Sequence, residues 1–250
     1  MAGRRGTATR SKIGPRPRSG RPHQLPRTIA IDGPSASGKS SVGYLVAQRL
    51  GYPFLDTGAM YRALTWLALR RGIHLEDEAA LGRLATQVEM KLGPPAAGSP
   101  ERCTILVDGE DLTGVLRRPE VEAAVSLVSR VSQVRRPMVA LQRRLAGRRR
   151  VVMAGRDIGT VVLPKAELKV YLDASVEERA RRRQEELASI GRSSCRSDIR
   201  QGILRRDSID SGRETSPLKP ADDAIIVNTG GLDRGQVVEK VLALAEGRAC

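Results

Sequence analysis

The stretch Thr28-Ile29-Ala30-Ile31-Asp32-Gly33-Pro34-Ser35-Ala36-Ser37-Gly38-Lys39-Ser40-Ser41 decides the fold of this 250-residue chain. Its first five residues form a β-branched, apolar run of the kind buried on both faces of a parallel sheet. After Lys39, apolar Val42, Leu45, Val46 and Leu50 recur at helical spacing until Gly51 offers a C-terminal cap. Between strand and helix, Gly33 to Ser40 fits G-x-x-x-x-G-K-[ST]. In that context backbone N–H groups curl around phosphate oxygens, and the positive end of the helix lies behind them. Gly33, Pro34, Ser35, Ala36, Ser37, Gly38, Lys39, Ser40 and Ser41 are therefore expected to hold a nucleoside triphosphate. Lys39 is expected to face solvent and reach the β- and γ-phosphates, and Ser40 to ligate Mg²⁺.

Outward from this unit the pattern alternates. A short strand is expected at Pro53–Leu55, then helices near Gly58–Arg71 and Glu76–Gln87. Val88–Leu92 and Cys103–Asp108 suit a small antiparallel insert, because the Gly-Pro-Pro-Ala-Ala-Gly-Ser-Pro segment between them is a loop composition. Helices near Pro119–Arg130 and Gln133–Ala146 precede strands at Val151–Met153 and Leu168–Leu172. Helices near Val176–Leu187, Ser197–Asp207 and Asp233–Glu246, with a strand at Ala224–Asn228, complete the chain. Alternating βα units predict an α/β protein, a parallel sheet flanked by helices, of the P-loop NTPase type.

Charge sets the partners. The formal net charge is +15, which favours polyanions such as nucleotides, nucleic acid or headgroups. Residues 1–27 hold Arg4, Arg5, Arg10, Lys12, Arg16, Arg18, Arg21 and Arg27 and no acid, so about half of the excess lies there. That segment also holds Pro15, Pro17, Pro22 and Pro26 without apolar periodicity, and is expected to be a disordered basic tail preceding a single domain over 28–250. No run of about 18 apolar residues exists, so a membrane span is not expected. Cys103, Cys195 and Cys250 show no C-x-x-C spacing, against both a disulfide framework and a zinc site, and a reducing cytoplasm fits.

A P-loop does not say how the phosphate energy is used, so companion motifs decide. The chain has neither N-K-x-D nor L-S-G-G-Q, which weakens GTPase and transporter readings. It does place Arg62, Arg135, Arg156, Arg206 and Arg213 in short polar segments, with Arg179, Arg181, Arg182 and Arg183 clustered. Guanidinium groups spread over equatorial oxygens are what phosphoryl transfer needs, and two phosphorylated substrates need several. Asp56-Thr57-Gly58-Ala59-Met60-Tyr61-Arg62 and Gly155-Arg156-Asp157-Ile158-Gly159 each follow an expected strand, at the sheet edge where ligands of open α/β folds bind. His23 and His74 give no candidate for a phosphohistidine. An acceptor that is itself a phosphate monoester needs no general base, since its second pKa is about 6. The enzyme alternative is a kinase acting on an alcohol, with Asp32 or Asp56 as base. A rival of another class is a basic nucleic-acid-associated ATPase, disfavoured by one Trp, one Phe and four Tyr as a stacking platform.

Four motifs in order, Ile31-Asp32-Gly33-Pro34 with Gly38-Lys39-Ser40, Leu55 to Arg62, Gly155 to Val162, and Arg205-Arg206-Asp207 through Asp210 and Arg213 to Leu218, resemble the bacterial cytidylate kinases. The likeness runs from about Ile29 to the final helix. It implies phosphorylation of CMP and dCMP by ATP with Mg²⁺, in a nucleoside monophosphate kinase fold with an acceptor lobe about 57–147 and a lid about 179–192. It implies that Arg62, Arg156 and Arg213, with Thr57, clamp the acceptor phosphate, that Ser126, Arg135 and Asp157 read the base, and that Arg206 and Asp210 meet the sugar. Lys39, Arg156 and Arg181 would carry the catalytic charge, with Arg181 and its lid neighbours closing on the ATP phosphates. Nucleotides would be its partners, without membrane or nucleic acid, and the protein would be a monomer. The family often has an acid before Gly-Arg-Asp; this chain has Ala154, so no carboxylate there is available to water or Mg²⁺.

Overall fold

A computed structural model describes residues 24–247 except 98, 100 and 148. Residues 1–23 of the expected tail, and Cys250, lie outside the described residues. Residues 24–27 lead straight into the sheet, where Pro26 is buried and the Arg27 carbonyl accepts from Val151 N–H at 2.8 Å.

The core is a five-stranded parallel sheet. Its strands are β1 (Thr28–Asp32), β2 (Phe54–Asp56), β6 (Val151–Gly155), β7 (Leu168–Asp173) and β8 (Ile225–Asn228), in the order β2-β6-β1-β7-β8. β6 is buried along its whole length and β1 nearly so, the burial expected of apolar strands covered on both faces. On one face Ile29, Ile31, Val170 and Leu172 pack with Val46 of α1 (Lys39–Leu50) and Val241 of α8 (Arg234–Ala245). On the other, Ala30, Leu55, Met153 and Ile158 pack with Val139 of α5 (Ser132–Ala146).

A second apolar cluster joins α2 (Thr57–Arg70), α3 (Glu78–Gln87) and α4 (Pro119–Arg130) to α5 and to a small antiparallel sheet. That sheet contains β3 (Met90–Gly93), β4 (Thr104–Val107) and β5 (Glu110–Asp111), and is the predicted insert with one more short strand. Met60, Leu64, Leu81, Ile105 and Met138 are among the fully buried side chains of this cluster. The last unit is a helical pair, α6 (Val176–Ser189) and α7 (Arg196–Ser211), whose own apolar core is only Ala180, Leu187, Ile199 and Ile203.

Local chemistry sets the ends of these elements. Asp56 caps α2 by accepting from Ala59 N–H, and Ser175 caps α6 by accepting from Glu178 N–H. Asp233 and Gln236 form a reciprocal capping box at α8. Asp32, Asp56 and Gly155 end their strands at one level, since Asp32 pairs in register with Gly155 and Asp56 with Ala154. That common edge carries the site.

Candidate active site

The P-loop emerges from β1 and turns into α1. Gly33 is obligatory: its φ is +154°, and a Cβ there would stand 2.3 Å from the Leu172 carbonyl oxygen. Lys39 is not turned to solvent as expected. It is buried, and its Nζ donates to the Pro34 carbonyl at 2.7 Å across the loop. Burial, with Arg156 nearby, pushes the ammonium pKa well down, and Asp56 opposes this only in part. The long aliphatic stem lets the side chain fold over its own loop and satisfy its charge there.

The α6–α7 pair grips the same loop. Arg179 Nη1 donates to the Ser35 carbonyl at 2.9 Å and to Asp207 Oδ2, while Asp207 Oδ1 accepts from Ser35 N–H at 2.9 Å. Arg181 does not join them: it is exposed and paired with Glu178 and Glu185 on the outer face of α6. Arg182 binds the Thr229 carbonyl at 2.6 Å, and Arg183 faces inward to Glu122 and Glu186. Helical periodicity separates these neighbours, since only one side of α6 meets the loop. The segment 179–192 is accordingly the greater part of a helix and its following turn.

Opposite the P-loop, the turn after β6 carries Arg156 and Asp157. Asp32 holds this turn in place, accepting from Ile158 N–H and Gly159 N–H, both at 2.8 Å. Residues Ile158–Val162 there form a single π-helical turn. Thr57 Oγ1 donates to the Ala154 carbonyl at 2.9 Å, tying the start of α2 to β6. Gly155 permits the approach, because a Cβ would lie 2.6 Å from Thr57 Oγ1. Asp32 and Asp56 thus both spend carboxylate oxygens on backbone N–H groups.

The remaining arginines converge. Arg156 Nε donates to Asp210 Oδ2 at 2.9 Å, and Arg213 donates to Asp210 Oδ1 and to Ser129 Oγ at 2.8 Å. Burial would raise the Asp210 pKa, but Arg156 and Arg213 together hold it below the usual value. Arg135 is buried over the Tyr61 ring, pairs with Asp157, and donates to the Ser129 carbonyl at 3.1 Å. Ser126 is buried beside them on α4. Arg62 and Arg206 meet on Glu122, at 2.9 and 3.0 Å. The structure thus brings Thr57, Arg62, Ser126, Arg135, Arg156, Asp157, Arg206, Asp210 and Arg213 to one side of the P-loop, and leaves Arg181 outside.

Sequence reasoning missed Glu122, Asp207 and Ser129 as polar members of the site. Glu122 looks like an ordinary first-turn acid of α4, and nothing local distinguishes it. Ser37 Oγ and the Nε atoms of Arg135, Arg206 and Arg213 are buried without a hydrogen-bond partner among the described residues, so donor capacity remains. Among the described residues no three metal-ligating side chains cluster. Ser40, the sequence-predicted metal ligand, is half-buried in the first turn of α1.

Burial raises the Asp32 pKa to about 6, with the neighbouring Asp157 adding to the rise and its two backbone hydrogen bonds and Lys39 opposing it. Between its unfolded and folded pKa values the native state binds more protons, so Asp32 adds stability at low pH that is lost as pH rises through about 6. Relative to Asp32→Asn, the parent should lose up to about 3 kcal/mol between about pH 4 and pH 6. Chemical denaturation of both proteins across that range measures it; parallel profiles would refute the assignment.

Among the described residues no helix is long and apolar enough to cross a membrane. The model of the family described as cytidylate kinase matches residues 29–247. A cytidylate kinase of Geobacillus kaustophilus is 49% identical over 221 residues, 88% of this chain and 97% of its own length. One from Geobacillus sp. strain WCH70 is 49% identical over 222 residues, 88% and 96% of the two chains. One from Chloroflexus aggregans is 48% identical over 219 residues, 88% and 94%. With its P-loop, its converging arginines and these matches over nearly all of the described residues, the chain belongs to the cytidylate kinase family.

Proposed function

We propose that this protein transfers the γ-phosphoryl group of ATP to CMP and dCMP, forming the diphosphates. The observation that carries the reading is the meeting of Arg62, Arg156, Arg206 and Arg213 beside the P-loop, with the Arg135–Asp157 pair next to them. An acceptor phosphate is already anionic at neutral pH, so the reaction asks for positioning and charge rather than proton abstraction. The engagement of Asp32 and Asp56 by backbone N–H groups supports this over an alcohol acceptor.

In this reading the residues from Gly33 to Ser41 cradle the ATP phosphates, and Lys39 exchanges the Pro34 carbonyl for phosphate oxygen. Ser40 would hold Mg²⁺, which when bound neutralises charge on the β- and γ-oxygens. Arg62, Arg156 and Arg213, with Thr57 behind them, orient the acceptor phosphate in line. Ser126, Arg135 and Asp157 face the base, and Arg206 with Asp210 the sugar. Residues 57–147 supply the acceptor lobe and 179–192 belong to the lid. Within that lid we assign the inward role to Arg179 and Arg183, because Arg181 is engaged on the outer face. The protein would act as a monomer in the cytoplasm, where its nucleotides are.

ADP formation from ATP and Mg²⁺ should be stimulated by CMP and dCMP, weakly by UMP, and not by AMP or nucleic acid. Stimulation by nucleic acid without a response to CMP would overturn the reading.

A further inference from the structure

Glu122 on α4 accepts hydrogen bonds from three arginines on three other helices. Its Oε1 takes Arg62 Nε of α2 at 2.9 Å, and its Oε2 takes Arg206 Nη1 of α7 at 3.0 Å and Arg183 Nη2 of α6 at 3.3 Å. The four side chains are only 15% to 21% exposed, so these pairs are poorly screened by water or salt. Burial alone would raise the Glu122 pKa, but Arg62, Arg206 and Arg183 hold it well below the usual carboxylate range. A second cluster adjoins it, since Arg156 and Arg206 both depress Lys39.

Building a carboxylate into a phosphate-binding arginine cluster has a chemical consequence. It offers the guanidinium groups one charge and two oxygens, whereas a phosphate monoester offers nearly two charges and three oxygens. On the reading that the acceptor phosphate is bound by Arg62, we propose that Glu122 is a built-in competitor that this phosphate must displace. It sets a threshold, so that a dianionic phosphate held by its nucleoside wins the arginines and a free anion does not. At the same time it ties α2, α4, α6 and α7 together through one group, keeping the arginines mutually positioned. Glu122 is thus a positioning residue that raises the threshold for any phosphate, and it touches the arginines and not the transferred group.

The test compares the parent with Glu122→Gln, which keeps the shape and removes the charge, and Glu122→Asp, which keeps the charge. In Glu122→Gln, KM for CMP and the inhibition constant of inorganic phosphate competing with CMP should both fall about three- to tenfold. KM for ATP should stay within about twofold, as a general loss of packing would not allow. Glu122→Asp should leave phosphate inhibition within about twofold of the parent. Should the Gln variant fail to fold, neutral Glu122→Ser gives the same comparison. A raised KM for CMP, an unchanged phosphate constant in the neutral variant, or equal shifts in the neutral and Asp variants would overturn the proposal. The rise in melting temperature caused by inorganic phosphate, larger in Glu122→Gln than in the parent, reads the competition without turnover. Failure of the parent to phosphorylate CMP would instead count against the function proposed above.

Discussion

Replacing Lys39 with Met is expected to lower kcat for CMP phosphorylation by about 10³-fold or more while the protein stays folded. Methionine matches the length of the aliphatic stem but carries no donor and no charge. Lys39 folds back over the P-loop, and its Nζ donates to the Pro34 carbonyl only 2.7 Å away. Exchanging that carbonyl for a phosphate oxygen is a short movement for a flexible side chain, and it delivers the charge where the transition state develops it. Stability should change little. The variant loses one hydrogen bond inside the loop, but it is also relieved of burying an ammonium whose pKa that burial pushes down. Steady-state kinetics with a denaturation midpoint from the same preparation separates the two effects. Near-normal turnover by a folded Met variant would remove the P-loop assignment.

The second large effect should appear in acceptor choice. Cytosine carries an exocyclic amino donor where uracil carries a carbonyl, so a reader of cytosine needs an acceptor-only group. Asp157 is buried and gives Oδ2 to Arg135, and in the proposed reading its Oδ1 is the oxygen offered to the base. Arg135 has further partners in the Ser129 carbonyl and the face of Tyr61, so Asp157→Asn should not release it. Asn would turn a donor toward the position that uracil's carbonyl occupies. A hydrogen bond to a charged group contributes about 1.5–3 kcal/mol, so the ratio of kcat/KM for CMP over UMP should fall roughly ten- to a hundredfold. Equal losses with both acceptors, or an unchanged ratio, would show that Asp157 serves only as the partner of Arg135.

The sheet was legible because its signals are local. Thr28–Asp32 and Pro119–Arg130 have the predicted ends, and most other elements shift by one or two residues where a cap residue lies just outside the helix. α7 runs to Ser211 rather than Asp207, since no glycine or proline intervenes before Gly212. The π-helical turn at Ile158–Val162 was not legible. It is held by Asp32, 126 and 127 residues away in sequence, whose two oxygens collect N–H groups no local pattern could assign. The same distance hid the partners of the arginines. Their presence could be read from the motifs, but Arg62 and Glu122 are 60 residues apart, and Arg206 and Glu122 are 84 apart. Lys39 shows the converse: its place was plain from the motif, while its burial follows from a rotamer that folds it onto its own loop.

The meagre apolar core of the α6–α7 pair governs how that pair responds to its surroundings. Only Ala180, Leu187, Ile199 and Ile203 pack between the helices, with Ala36 and Val176 at the margin. Contact with the rest of the protein runs instead through Arg179, Arg182, Arg183, Arg206, Asp207 and Asp210. Lifting the pair away would expose little hydrocarbon, and so would carry a small heat-capacity change. Any opening of the pair should therefore show little curvature with temperature and respond to ionic strength, the reverse of an element held by hydrocarbon.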